Sequence, residues 1–167
     1  ITPATVPALG QYGGYIVLTG DTGSRVFRVP YAGFVGDYQA IQVLTPTANG
    51  FPWLAKLSGG VFTNQPAGAT YTLQGDDQPQ FLIHFEHQSQ RFLMEVTQIG
   101  TDKNGVKFKG KKWHKIIDER WFGRNSTPTG FFAFAWDGTT FDNPSKPPLV
   151  VPDGEYVVTL AVIKALA

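Results

Sequence analysis

Short apolar runs broken by clusters of Gly, Pro and Asn fill this chain, and they carry the two-residue alternation of strands. Residues 15–19 are apolar and β-branched and end at Gly20-Asp21-Thr22-Gly23; residues 25–29 resume the extended pattern. The two predict a hairpin over residues 14–29. Residues 30–38, rich in Gly and aromatics, suit a sharp turn or an interdomain joint, and residues 41–44 form a short apolar run. Phe51-Pro52-Trp53-Leu54 follows Asn49-Gly50 and reads as a buried irregular loop; residues 58–69 read as a surface loop. Residues 81–87 and 91–98 are the clearest strands, with Phe81, Ile83 and Phe85 on one face of the first and Phe92, Met94 and Val96 on one face of the second. The short link Gln88-Ser89-Gln90 predicts that they form a hairpin.

Asp102-Lys103-Asn104-Gly105 is a turn signal. Residues 131–136 read as a buried strand stopped by Asp137-Gly138, and residues 142–153 as a Pro-rich loop closing at Asp153-Gly154. Residues 156–163 are apolar on both faces, which predicts a central strand. There is no internal repeat and no long amphipathic helical run. The pattern predicts an all-β, antiparallel sandwich.

Composition narrows the chemistry. Of 167 residues, 42% are hydrophobic and 16% charged, which fits a packed core and excludes an intrinsically disordered chain. A formal charge of +1 creates no global field toward nucleic acid or anionic lipid. The absence of cysteine removes disulfides, thiolate nucleophiles and Cys-based metal sites. No apolar run reaches the ~20 residues that span a bilayer.

Several groups of polar residues could carry chemistry, and each also has a plainer role. His84 and His87 flank Glu86, but an odd spacing puts their side chains on opposite faces of a strand, so packing is favoured over a metal site. His114 lies among lysines and reads as solvated. Residues 137–143 carry several oxygen ligands but lack the alternating carboxylates and closing Glu of a calcium loop, so a turn held by Asp137 is expected. Ser24, Ser58, Ser89, Ser126 and Ser145 sit in no nucleophile elbow. Residues 103–124 hold 8 of the 14 Lys and Arg residues together with Trp113; an interface for nucleic acid or acidic glycans is weighed there against a solvated strand face, which is favoured. Asn125-Ser126-Thr127 matches the N-glycosylation pattern at Asn125.

Several segments together resemble a known family. Tyr12-Gly13-Gly14-Tyr15, leading to Val29-Pro30-Tyr31-Ala32-Gly33-Phe34-Val35-Gly36-Asp37-Tyr38, resembles the fibronectin type III-like domain that follows the catalytic domain in subtilisin-like serine proteases, including lactocepin-like cell-envelope proteinases. The segment 81–88, Trp136-Asp137-Gly138-Thr139 and Val151-Pro152-Asp153-Gly154-Glu155-Tyr156 are similar to the second such domain. The resemblance implies an immunoglobulin/fibronectin-like sandwich over residues 36–167, preceded by the terminal hairpin and linker of another domain over residues 1–35. It assigns structural roles to Pro30, Tyr31, Gly33, Phe34, Gly36, Asp37, Trp136, Asp137, Gly138, Asp153, Gly154 and Tyr156.

It also implies a secreted or cell-surface parent and a non-catalytic accessory role, because the protease's Asp, His and Ser motifs have no counterpart here. No cofactor, metal, nucleic acid or membrane span is expected; the expected partners are the protease domain, a severed neighbouring domain or other copies of the chain. Relative to the family, the start at Ile1-Thr2-Pro3 and the stop at Lys164-Ala165-Leu166-Ala167 fall inside sandwich domains, so the last strand is expected to be missing. That raises a second expectation: a processed, fibre-forming subunit with residues 1–30 as donor strand. A third is an adhesion or carbohydrate-binding module using Trp53, Trp113, Trp121 and Trp136.

Overall fold

The computed structural model describes residues 5, 8–21, 25–143 and 145–165, and among these the regular structure is all strand apart from one 3-10 turn, Tyr38–Ala40. The chain divides into two compact units, residues 1–41 and 42–167.

In the first unit β1 (Gln11–Thr19) pairs antiparallel with β2 (Val26–Phe34), from Gln11↔Phe34 to Thr19↔Val26. The hairpin is longer than the sequence pattern indicated, and Pro30 to Phe34 belong to a strand instead of a turn. A two-stranded ribbon has a free edge on each strand, where proline's missing N–H breaks no ladder bond. Aromatic rings fill the space that the glycines leave: Tyr12 covers its partner Gly33, and Tyr31 covers Gly14. A Cβ at Gly33 would collide with the Tyr12 ring. The turn itself comes later, where Asp37 Oδ1 accepts from the Gln39 N–H at 2.9 Å and caps the 3-10 segment. Ser24 lies outside the described residues.

The second unit holds β3 (Trp53–Ser58), β4 (Val61–Asn64), β5 (Gln80–Ile83), β6 (Ser89–Thr101), β7 (Lys107–Phe122), β8 (Phe132–Ala135), β9 (Thr139–Thr140), β10 (Leu149–Val150) and β11 (Glu155–Lys164). A four-stranded sheet, β4-β3-β5-β8, packs face to face with a three-stranded sheet, β11-β6-β7, and every pairing is antiparallel. The inner faces meet through Ile83 and Phe85 from one side and Phe92 and Met94 from the other. Phe132 and Phe134, Ile116, Ile117 and Phe122, and Val158, Leu160 and Val162 close around them. The outer face of β5 buries Leu82 with Phe51 and Ala55, and Trp136 with Val96 and Val151 closes one end. The chain is an all-β, antiparallel sandwich.

Several local expectations are corrected. Residues 81–87 and 91–98 do not form a hairpin: β5 pairs with β3 and β8, whereas β6 pairs with β7 and β11. The intervening residues cross between sheets, and a crossing shows the same alternation as a hairpin. Phe85, fully buried, is seated in that crossing and bridges to Leu44. Trp53 and Leu54 start a strand, and Gly59-Gly60 turns it into β4, so the loop predicted over 58–69 starts only after Asn64. β8 is an edge strand with only Phe132 and Phe134 half-buried, not a buried strand.

The largest correction concerns β11, which is an edge strand; β6 is central. Its inward residues join the core, while Val157 and Ile163 on the outer face are 50% and 44% exposed. Apolar character on both faces therefore marks an open edge here. The basic strand β7 carries three register shifts against β6, which spoil the strict alternation of Lys107, Lys109 and Lys111 while leaving all three exposed.

Candidate functional site

Two of the segments that carry the family resemblance in the second unit, 136–139 and 151–156, meet in one place. Trp136 is 6% exposed, and its indole Nε1 donates to the Thr139 carbonyl at 2.8 Å. Its ring meets Tyr156 edge-on with centroids 5.8 Å apart. Asp137 Oδ1 accepts from the Thr139 N–H at 2.9 Å and from the Thr139 hydroxyl at 2.6 Å. These bonds hold its carboxyl below the usual carboxylate range. Gly138 adopts φ +84°, a conformation that favours glycine, and accepts from the Val151 N–H at 2.9 Å. Tyr156 donates its hydroxyl to the Pro152 carbonyl. Burial, with Asp153 adding to it, pushes the phenol pKa upward. Trp-Asp-Gly and Asp-Gly-x-Tyr are thus two halves of one joint built around the buried Trp136.

The histidine cluster resolves into a lock. His84 is 2% exposed; its Nδ1 lies 2.6 Å from the Gly130 carbonyl and its Nε2 3.1 Å from Glu86 Oε2. Both neighbours are acceptors, so the buried ring is held between them. Burial lowers the His87 pKa. His114 is paired with Asp142 at 2.7 Å, a partner that the sequence did not suggest. Among the described residues no three His, Cys, Asp or Glu side chains are grouped to hold a metal ion. Nor does any described histidine hydrogen-bond a serine or threonine hydroxyl. Ser89 is fully buried, and Ser58, Ser126 and Ser145 are exposed.

Asn125 has a structural task. Its Oδ1 accepts from the Phe85 N–H at 2.8 Å while its own N–H donates to the Phe85 carbonyl at 2.8 Å, so the side chain imitates a strand partner at the sheet crossing.

The basic stretch is partly neutralised. Lys107 bonds Glu155 at 2.7 Å and Lys112 bonds Glu95 at 2.8 Å. Arg91 grips Asp118 with two bonds of 2.6 and 2.8 Å, and Lys115 adds a third at 2.6 Å. No sequence signal joins Arg91 to Asp118; only the β6–β7 pairing brings them together. Hydrogen bonding by Arg91, then by Lys115, holds the Asp118 carboxyl far below its ordinary value. A depressed native pKa stabilises the fold above the unfolded pKa of about 4, and that contribution fades as pH falls toward the native value. Wild-type urea midpoints are expected to fall on acidification below about pH 4. Asp118→Asn should start less stable at neutral pH and show a smaller fall over that window. A parallel fall in both proteins would contradict this account.

A cavity of about 150 Å³ is lined by Gln42, Leu44, Thr45, Pro46, Phe51, Pro52, Ile83 and His84. It is mainly apolar and falls below the 300–1,000 Å³ of typical ligand sites. Of the four tryptophans, Trp53, Trp113 and Trp136 pack against core clusters, and Trp121 is 68% exposed. No helix among the described residues is long and apolar enough to cross a membrane. No protein-family model, curated protein or solved structure matches the chain.

Proposed function

We propose that this chain is a non-catalytic accessory module of a secreted, subtilisin-like serine protease, a fibronectin type III-like sandwich that supports or extends the protease domain. The observation that carries the reading is the joint between Trp136 and Tyr156, where two motifs of the resemblance, on either side of one loop, pack against each other. The sandwich topology agrees with it. The histidines support it too, since their observed bonds are to a backbone carbonyl and carboxylates instead of a nucleophile. The purified chain is expected to leave casein and peptide esters uncleaved. Hydrolysis that a serine-directed reagent abolishes, in a preparation free of other proteases, would overturn the proposal.

A second reading, a structural subunit that assembles by strand exchange, is favoured by one specific observation, the long free edge of β11.

A further inference from the structure

A sheet edge invites another strand unless it is short, charged, interrupted by proline or distorted. Among the described residues, most free edges carry such protection. β4 and β8 have four residues each. β2 carries Arg28 and Pro30 within its span. β7 carries a row of lysines, has three register shifts against β6, and is bridged at Lys115 by Phe141.

Two long edges lack it. β11 runs for 10 residues with charges only at Glu155 and Lys164 and a single register shift at its very end, between Ile163 and Lys164, and Val157 to Ile163 contain neither charge nor proline. β1 runs for 9 residues with neither charge nor proline, and Tyr15, Ile16, Val17 and Leu18 are 41–64% exposed. Among the described residues the β1–β2 ribbon has only two strands, and a two-stranded ribbon gains stability from a third. One unit thus holds a ribbon with an open apolar edge, and the other holds a sheet with an open apolar edge of matching length.

We propose that the free edge of β1 in one copy adds to the free edge of β11 in a second copy. The sheet then runs β2-β1 from one chain into β11-β6-β7 of the next, with main-chain bonds giving affinity and the exposed side chains of β1 lying beside Val157 and Ile163. The inference deepens the strand-exchange reading and is independent of the protease reading. Donor and acceptor are different surfaces, so the contact is heterologous and makes reciprocal pairs or open chains of copies.

Sedimentation velocity of the full chain over a dilution series tests it. Wild type is expected to associate with rising concentration, with slowed hydrogen exchange confined to β1 and β11. Tyr15→Lys/Val17→Lys (donor edge) and Val157→Lys/Ile163→Lys (acceptor edge) change exposed side chains, so each should keep the wild-type circular dichroism and lose association. Mixed together, the two variants retain one intact donor and one intact acceptor, and should form a one-to-one pair that neither forms alone. Association that survives both double substitutions overturns this surface while leaving the assembly reading standing. A wild-type chain that stays monomeric up to its solubility limit overturns both.

Discussion

Phe85→Ala is expected to lower the unfolding free energy by about 3–5 kcal/mol, the usual cost of emptying a buried phenylalanine site. Phe85 is fully buried, and its ring lies 5.0 Å from Phe92, 4.7 Å from Phe122 and 5.8 Å from Phe132. These partners come from β6, β7 and β8, so one ring ties both sheets together. Its backbone bonds to Asn125 do not depend on the side chain, so the substitution isolates packing. Domains of this kind are stable by about 5–15 kcal/mol, and the loss would consume a large part of that. Urea denaturation should show a lower midpoint with an unchanged slope. A change below about 1 kcal/mol would mean that the two sheets hold together without this ring.

Trp136→Ala is expected to cost a comparable amount, about 3–5 kcal/mol. The indole caps the cluster of Val96 and Val151 and lies edge-on to Tyr156. Trp136→Phe should recover most of the loss, leaving a deficit of about 0.5–1.5 kcal/mol for the missing bond to the Thr139 carbonyl. Thermal or urea unfolding of the pair separates packing from hydrogen bonding. Near-ultraviolet circular dichroism should lose the Trp–Tyr signal in both variants. Equal stability of Trp136→Ala and wild type would reduce the motif to a surface turn.

The fold class was legible because period-two alternation survives in strands such as β11 and in the inward row of β6. Phe92, Met94 and Val96 face inward as their spacing requires, and all three are fully buried. Connectivity was less legible. A short polar link between two alternating runs reads as a hairpin, yet residues 84–88 carry the chain from one sheet to the other. β11 misled for a related reason: apolar residues on both faces mean burial in a central strand, but on an edge strand they mean exposure. The Asp137 turn was readable because an Asp two residues before a donor amide closes a local ring. Asn125 at Phe85 and Arg91 at Asp118 were not, since the first pair is set by the sheet crossing and the second by the exact register of β6 on β7, which its bulges shift.

The chain-order position of β11 has a consequence for biosynthesis. Glu155 pairs with Ile99 and Lys164 with Ser89, so this strand docks against one made much earlier. The β6–β7 ribbon closes locally through the Asp102–Gly105 turn and is free to form as soon as Phe122 is released. From then until residue 164 leaves the ribosome, the flank of β6 that β11 will cover stays bare, and the nascent chain carries an open sheet through the whole interval. A translational pause within residues 123–155 would lengthen that exposure. Synonymous codons in this stretch are therefore expected to affect yield more than those in residues 11–34, whose ribbon closes on itself.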